Sequence, residues 1–217
     1  MSDVSILAKQ ISRKRTRRYA AIALVVVAVI AAMALDTKVV KIGSADDAQE
    51  QGFAADSYGQ KTFPTIQHDV ESRAVEAKTL ADALQANQQD AVRKYGVGTP
   101  LPVFAVKLEG VVQAGQMGIF PLQVAGLPEG TQVRLQTGPA ITGTDLRDAN
   151  GKIQFGDFIN QIEYQNAGSA INRAMKTAVL DKLDRDALPG KTVQVVGVFR
   201  LLNAKNWMVT PVSMEVK

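Results

Sequence analysis

The sequence contains no cysteine, one histidine, His68, and one tryptophan, Trp207. Without cysteine the chain forms no disulfide, uses no thiol in catalysis, holds no metal through thiolates and offers no sulfur for a lipid. One histidine excludes a conventional multi-histidine metal site, and His68 lies on a predicted helix where a solvated residue is expected. We therefore predict no metal site and no cofactor.

Charge is missing from one continuous run, the 17 residues Tyr19–Leu35, which follow six positive charges between Lys9 and Arg18. As a helix this run spans roughly 25 Å, a little less than a hydrocarbon core, and Arg17 can extend to the headgroups. The basic residues all precede the run, so the positive-inside rule predicts a cytoplasmic N-terminus. The sequence thus predicts a single-pass anchor in the inner membrane, with the following domain in the periplasm.

The same run is compatible with a cleaved signal peptide, because Ala32-Met33-Ala34 is an A-x-A pattern. Cleavage there would release a soluble periplasmic protein that begins at Leu35. With either outcome the chain divides into a basic cytoplasmic segment 1–18, an anchor or signal peptide 19–35, a connecting segment 36–63 and a globular domain 64–217.

The positive charge of the chain belongs to its N-terminal segment. Residues 1–35 hold six of the 25 Lys and Arg residues and one of the 21 Asp and Glu residues. The remainder has 19 basic and 20 acidic residues, a net charge of −1. Because proteins that bind single-stranded nucleic acid need a positive groove, we predict no nucleic-acid partner.

Residues 64–95 carry small apolar residues at three- and four-residue intervals, which predicts one or two helices with a break near Thr79. Pro64 is expected in the first helical turn, and Gly96 ends the run. Further along, an apolar stripe from Ile171 to Leu183 predicts a second helical region, with Ser169 as its N-cap.

Five segments are rich in β-branched and aromatic residues and are bounded by turn residues, which predicts strands. Asn150-Gly151 is the strongest two-residue hairpin signal between them. The predicted strands are Val103–Val112, Ile119–Val124, Gln132–Thr137, Thr192–Leu202 and Trp207–Val216.

Three strands, a helix and two strands are the order of a five-stranded Greek-key barrel of the OB type, whose usual ligands are oligonucleotides or oligosaccharides. We predict a mostly β, α+β fold: an OB-like barrel with an added N-terminal helical layer, preceded by one transmembrane helix. The long segment between the third strand and the helix leaves room for an extra hairpin.

The densest polar run of the globular part extends from Thr142 to Asn166, with Phe155 and Phe158 interleaved. Amide, carboxylate and aromatic groups together can bind a carbohydrate or another small polar ligand. The same residues can instead brace a long connection. The predicted ligand or partner site comprises Asp145, Arg147, Asp157, Asn160, Gln161, Glu163, Tyr164 and, as a stacking residue near the last turn, Trp207.

The residue types of this run are also compatible with two other chemistries. Asp157 and Glu163 could divide acid and base roles in a hydrolase. Asp148 to Ile153 resembles the middle of a calcium loop, but position one would be Leu146, which cannot ligate, and flanking helices are not predicted. The sequence favours a non-enzymatic module over either.

Three segments resemble a known family: KVVKIGSADDAQ, QTGPAITGTDLRDANGKIQFGDFINQIEYQNAGSAIN and VVGVFRLLNAKNWMVTPVSMEV. They are similar to an uncharacterised bacterial family of predicted periplasmic lipoproteins, over the chain from about Leu35 to its end. That resemblance implies an accessory role in the envelope, in association with ABC-type sugar uptake, so transporter components or a small carbohydrate are the expected partners. The absence of cysteine departs from the lipoprotein description and leaves the apolar run as the expected attachment.

Overall fold

A computed structural model of the chain describes Ile22, residues 24–33 and residues 53–217. The chain divides into two units, Met1–Gly52 and Phe53–Lys217. In the first, Ile22 and residues 24–33 are helical, and their apolar side chains are exposed. Within the described residues, no helix has both the length and the apolarity that a membrane crossing needs. The remaining residues of the predicted anchor, Tyr19–Leu35, lie outside the described part, as do segment 1–18 and most of 36–63.

Within residues 53–217, three helices precede the first long strand, where the sequence predicts one or two. The first begins well before Pro64, so this proline lies inside a helix rather than in its first turn. The chain leaves this helix at Ala74 with an extended backbone, and the next two residues pair with a strand. That break lies a few residues before Thr79, and a second one falls at Asn87. The helices are α1 (Ala55–Arg73), α2 (Ala77–Ala86) and α3 (Gln88–Tyr95).

In the C-terminal unit seven strands form one sheet, and five of them close into a barrel. The five follow the order β3-β4-β5-β7-β6, and β3 also pairs with β6, which closes the ring. β5 and β7 run parallel, whereas the other neighbours in the ring are antiparallel. The strands are β1 (Val75–Glu76), β2 (Gly96–Val97), β3 (Val103–Val112), β4 (Ile119–Gln123), β5 (Gln132–Gln136), β6 (Thr192–Arg200) and β7 (Asn206–Val216).

The segment between β5 and β6 contains helices and turns but no hairpin. It forms α4 (Asp145–Asp148), a 3₁₀ turn (Phe155–Asp157) and α5 (Gln161–Met175), which continues as a π-helical turn (Lys176–Leu180). The hairpin prediction at Asn150-Gly151 is therefore wrong: these residues follow α4, and Gly151 supplies the positive φ of 66° that ends the turn.

The N-cap prediction at Ser169 is also wrong. α5 begins eight residues earlier, and its N-cap is Asn160, whose side chain accepts a hydrogen bond from the Glu163 N–H at 2.9 Å. Gly168 and Ala170, with Ala167, form a buried face of small residues that the apolar stripe did not reveal. Gly59 of α1 packs there, since a Cβ on it would meet the Ala170 carbonyl oxygen at 2.3 Å.

β3 separates two cores, because its alternate residues face opposite sides of the sheet. Phe104 and Val106 belong to the first core, which includes the inward-facing barrel residues and the apolar faces of α2 and α3. Val103 and Ala105 belong to the second core, which contains residues of α1 and α5. The helices α1 and α5 therefore cover part of the outer face of the barrel.

Candidate functional site

The acidic residues of α4 are held by an arginine from β6. Arg200 donates to Asp145 at 2.9 Å and to Asp148 at 2.6 Å, and all three side chains are largely buried. Burial raises the pKa of Asp145 in spite of the Arg200 contact. Burial alone would also raise the pKa of Asp148, but hydrogen bonds from Arg147, Arg200 and Thr144 outweigh it and leave that pKa below its ordinary value.

Arg147 is nearly fully buried and makes three kinds of contact. It donates to Asp148 at 2.7 Å and to the Tyr164 carbonyl oxygen at 3.2 Å. Its guanidinium also stacks on the Tyr164 ring, 3.6 Å from the ring centroid. Arg147 and Tyr164, both predicted as ligand residues, thus join α4 to α5 within the fold.

Most of the polar residues around the start of α5 accept hydrogen bonds from backbone N–H groups at the N-terminal ends of the 3₁₀ turn and of α5. Asp157 accepts a hydrogen bond from the Gln154 N–H at 2.8 Å, and Glu163 accepts one from the Ile159 N–H at 3.1 Å. Asn160 is the N-cap described above. Gln161 is exposed, and its side chain makes no hydrogen bond to residues 53–217. The structure therefore gives three of these four predicted ligand residues a structural role.

Trp207 is a core residue rather than a surface stacking platform. Its side chain is fully buried, its ring stacks on Phe199 at a centroid distance of 4.6 Å, and its indole N–H donates to the Ala204 carbonyl at 2.8 Å. A β-strand that begins at Asn206 turns this side chain into the barrel. His68, in contrast, is exposed on α1.

Replacing Asn160 by alanine should lower the free energy of unfolding by about 1 kcal/mol, because the cap of α5 is lost. Asn160→Asp should retain most of the stability, since aspartate also caps helices. Gln161→Ala, one residue along, serves as the matched control and should change stability by less than about 0.5 kcal/mol. Urea unfolding followed by circular dichroism measures all three; equal losses for N160A and Q161A would contradict the capping assignment.

The calcium-loop residues have protein partners. Asp148 is bound by the two arginines, while Asn150 accepts the Lys152 N–H and donates to Asp69. Lys152 itself pairs with Asp69 at 2.8 Å. In residues 53–217 and the described part of the N-terminal helix, no three carboxylate or histidine side chains gather as a metal-ligand set.

A groove on the outer face of the barrel brings several polar side chains together. It lies where the sheet extends beyond the cover of α1 and α5, has a volume of about 490 Å³ and is open to solvent. Cross-strand register places Glu109, Gln194 and Glu215 side by side on β3, β6 and β7. The adjacent row is Lys107, Val196 and Ser213. We call this surface the outer groove.

Two of the charged residues of the outer groove, Glu109 and Lys107, are held by ion pairs. The Glu109 carboxylate accepts hydrogen bonds from Lys217 and Gln194, each at 2.8 Å, and these contacts lower its pKa. Lys107 pairs with Glu76 at 2.9 Å. Glu215 has no side-chain hydrogen bond or ion pair with residues 53–217, so its carboxylate is available to a ligand. A carboxylate, an amide and a hydroxyl over the apolar Val196 suit a polyhydroxylated ligand.

Sequence reasoning missed the outer groove because its residues are far apart in the chain. The alternation of Ser213 and Glu215 with apolar neighbours on the last strand indicates an exposed face. Only the register of β3, β6 and β7 brings that face beside Glu109 and Gln194.

A family model described as "Predicted periplasmic lipoprotein (DUF2291)" matches residues 23–215. The chain belongs to this family. Membership confirms the resemblance of the three sequence segments and indicates a periplasmic location. The chain differs from the family description in one respect, because it contains no cysteine that could carry a lipid. The family description assigns no function.

The fold is shared with a solved structure. A crystal structure of an OB-fold protein from Thermotoga maritima is similar with a TM-score of 0.64 and 18% sequence identity, and the match covers 76% of this chain and 99% of that one. The prediction of an OB-like five-stranded barrel with added helices is thus confirmed. No curated protein matches the chain.

Proposed function

We propose that this protein is a non-enzymatic periplasmic binding module that assists ABC-type uptake of a sugar or polyol. The run Tyr19–Leu35 anchors it in the inner membrane, with the N-terminus in the cytoplasm and the barrel in the periplasm. Family membership supports the periplasmic location, and the basic residues before the run support the orientation. Release after Ala34 as a soluble periplasmic protein is the alternative form.

The outer groove is the observation that carries this proposal. The carboxylates of Glu215 and Glu109 accept hydrogen bonds, and the ammonium group of Lys107 donates them. The side chains of Gln194 and Ser213 can do both. Sugar hydroxyls both donate and accept, so such a mixed set can bind several of them at once. The volume of about 490 Å³ lies within the range of small-molecule sites, about 300–1,000 Å³.

A hydrolase acting through Asp157 and Glu163 has less support. Each carboxylate accepts a hydrogen bond from a backbone N–H at the start of a helical turn. These two hydrogen bonds stabilise the local backbone conformation. The other carboxylates of the polar run, Asp145 and Asp148, are bound by Arg200. None of the four offers the free acid and base that glycoside hydrolysis needs.

Glu215→Gln should weaken the binding of a sugar or polyol by about 10- to 100-fold, because a charge-assisted hydrogen bond contributes about 1.5–3 kcal/mol. Glu129→Gln is the matched control, since Glu129 is an exposed acid in the turn between β4 and β5. Calorimetric titration of the full chain in detergent, with pentoses, hexoses and sugar alcohols, measures the affinities. Both variants should unfold at the temperature of the unmodified protein.

Equal affinities for E215Q and the unmodified protein would exclude the outer groove as the binding site. Failure of every sugar and polyol to bind at millimolar concentration would overturn the proposed ligand class. Loss of binding in E129Q alone would instead point to the turn between β4 and β5.

A further inference from the structure

Three large apolar side chains project into solvent around the start of α5. Phe155 is 51% exposed, Ile159 is 85% exposed and Ile162 is 60% exposed. They lie within eight consecutive residues at the start of α5, and we call these three side chains the apolar patch. Clustered exposed apolar residues of this size mark a contact with another surface far more often than isolated ones do.

The fold holds the apolar patch in a fixed conformation. The hydrogen bonds of Asp157 and Asn160 fix the backbone on both sides of Ile159. Phe158 packs on Tyr58 and Tyr164, at ring-centroid distances of 5.7 and 5.4 Å, and Phe155 also contacts the Tyr164 ring, at 5.7 Å. Phe155 and Ile159, on either side of this half-buried aromatic residue, are therefore exposed without the entropic cost of ordering a free loop.

The chain enters the C-terminal unit beside the apolar patch. Phe53, the first residue of that unit, packs against Phe158 with a ring-centroid distance of 5.4 Å, and Ile159 is the next residue after Phe158. Residue 33, the last described residue of the apolar helix, precedes Phe53 by 20 positions. A chain of that length spans at most roughly 70 Å.

We propose that the apolar patch inserts into the periplasmic surface of the inner membrane, between the headgroups and the outer ends of the acyl chains. The inference rests on the proposed anchor, because the anchor keeps the Phe53 side of the unit near the bilayer at a high effective concentration. Phenylalanine and isoleucine are suited to this interfacial depth. The charged groups beside the patch, Asp157 and Glu163, are acidic caps, so the contact is apolar rather than an attraction to anionic lipid.

A lipid surface fits the apolar patch better than a protein partner does. Stable protein interfaces take about 20–30 residues on each side, whereas the patch offers three. A small apolar contact is sufficient when a covalent tether already supplies most of the membrane affinity. The contact then determines which side of the barrel faces the membrane.

A single fluorophore can test the insertion, because the chain has no cysteine of its own. Ile159→Cys carries an environment-sensitive NBD group, and Leu202→Cys, 75% exposed in the turn between β6 and β7, is the control. The full chain is reconstituted into vesicles of phosphatidylethanolamine and phosphatidylglycerol. We expect blue-shifted emission at position 159, with quenching by spin-labelled lipids at least threefold stronger than at position 202.

Carbonate extraction of the same vesicles tests the membrane anchor independently of the insertion of the apolar patch. Equal quenching at positions 159 and 202 in protein that resists extraction would overturn the insertion and leave the anchor intact. Protein that is extracted and shows no blue shift would overturn both. A blue shift at position 159 in native membranes but not in pure lipid vesicles would assign the apolar patch to a protein partner and overturn the lipid contact.

Discussion

Trp207→Ala should lower the free energy of unfolding by about 3–5 kcal/mol, among the largest costs for a single core residue. Trp207 is fully buried and is the end member of a stack in which Phe199 lies 4.6 Å from it and Phe104 lies 5.6 Å from Phe199. Removing the indole leaves a cavity that the rigid strands cannot close. This substitution removes the one tryptophan whose fluorescence could report unfolding. Unfolding in urea should therefore be followed by circular dichroism.

Trp207→Phe is the control for this prediction. It keeps a ring on Phe199 but loses the hydrogen bond to the Ala204 carbonyl, so a smaller cost of about 1–2 kcal/mol is expected. A tryptophan that contacts a ligand at the surface would behave differently. Binding lost in W207A with an unchanged unfolding curve would show that the ring is not part of the core.

The second large effect concerns Arg200, and we expect Arg200→Leu to cost about 2–3 kcal/mol. Removing one partner of a fully buried ion pair costs roughly 3–5 kcal/mol, and these side chains retain some exposure. The variant leaves Asp145 without its ion-pair partner and removes one of the two arginines that bind Asp148. Arg93→Leu, which breaks an exposed pair with Asp90 on α3, is the matched control and should cost less than about 1 kcal/mol.

The cost of Arg200→Leu should depend on pH. With Arg200 present, the lowered pKa of Asp148 contributes stability above its unfolded value, near 3.9, and this stability is lost as the pH falls. The raised pKa of Asp145 acts in the opposite direction. Without Arg200 the pKa values of both carboxyls should rise, so the loss is largest at pH 7 and smaller near pH 4. A loss that is the same at both pH values would exclude an ionic origin.

The sequence was sufficient to predict the barrel because strand residues are marked locally. β-Branched runs such as Val103–Val112 stand between turn residues, and their order around one helix limits the topology. The helix ends were less visible. Asn160 resembles any loop amide until Glu163 is seen three residues further on, and Pro64 inside α1 gives the signal of a first turn.

The candidate site could not be predicted because its contacts join distant positions. Asp145 and Arg200 pair across 55 residues, and Gln194 reaches Glu109 across 85. A polar run such as 142–166 therefore looks free to bind a ligand while its partners are unknown. Once those partners are assigned, most of the run is scaffold. Glu215, whose carboxylate has no partner in residues 53–217, lies in the outer groove. The apolar–polar alternation of a strand shows which face is exposed but not the register that places Glu215 beside Gln194.

The closure of the barrel by β3 and β6 has a consequence for how the protein is made. Their paired residues lie on the order of 80–100 positions apart in the sequence, so the contacts form only after a long loop has closed. A chain exported from its N-terminus delivers β3 early and β6 late. Until then the edge of β3 that pairs with β6 is open, while β1, β2 and β4 pair with the other edge, and a strand of a neighbouring chain can pair there. The rate at which the last strands cross the membrane, and not the stability of the finished barrel, sets how long each new molecule is exposed to aggregation.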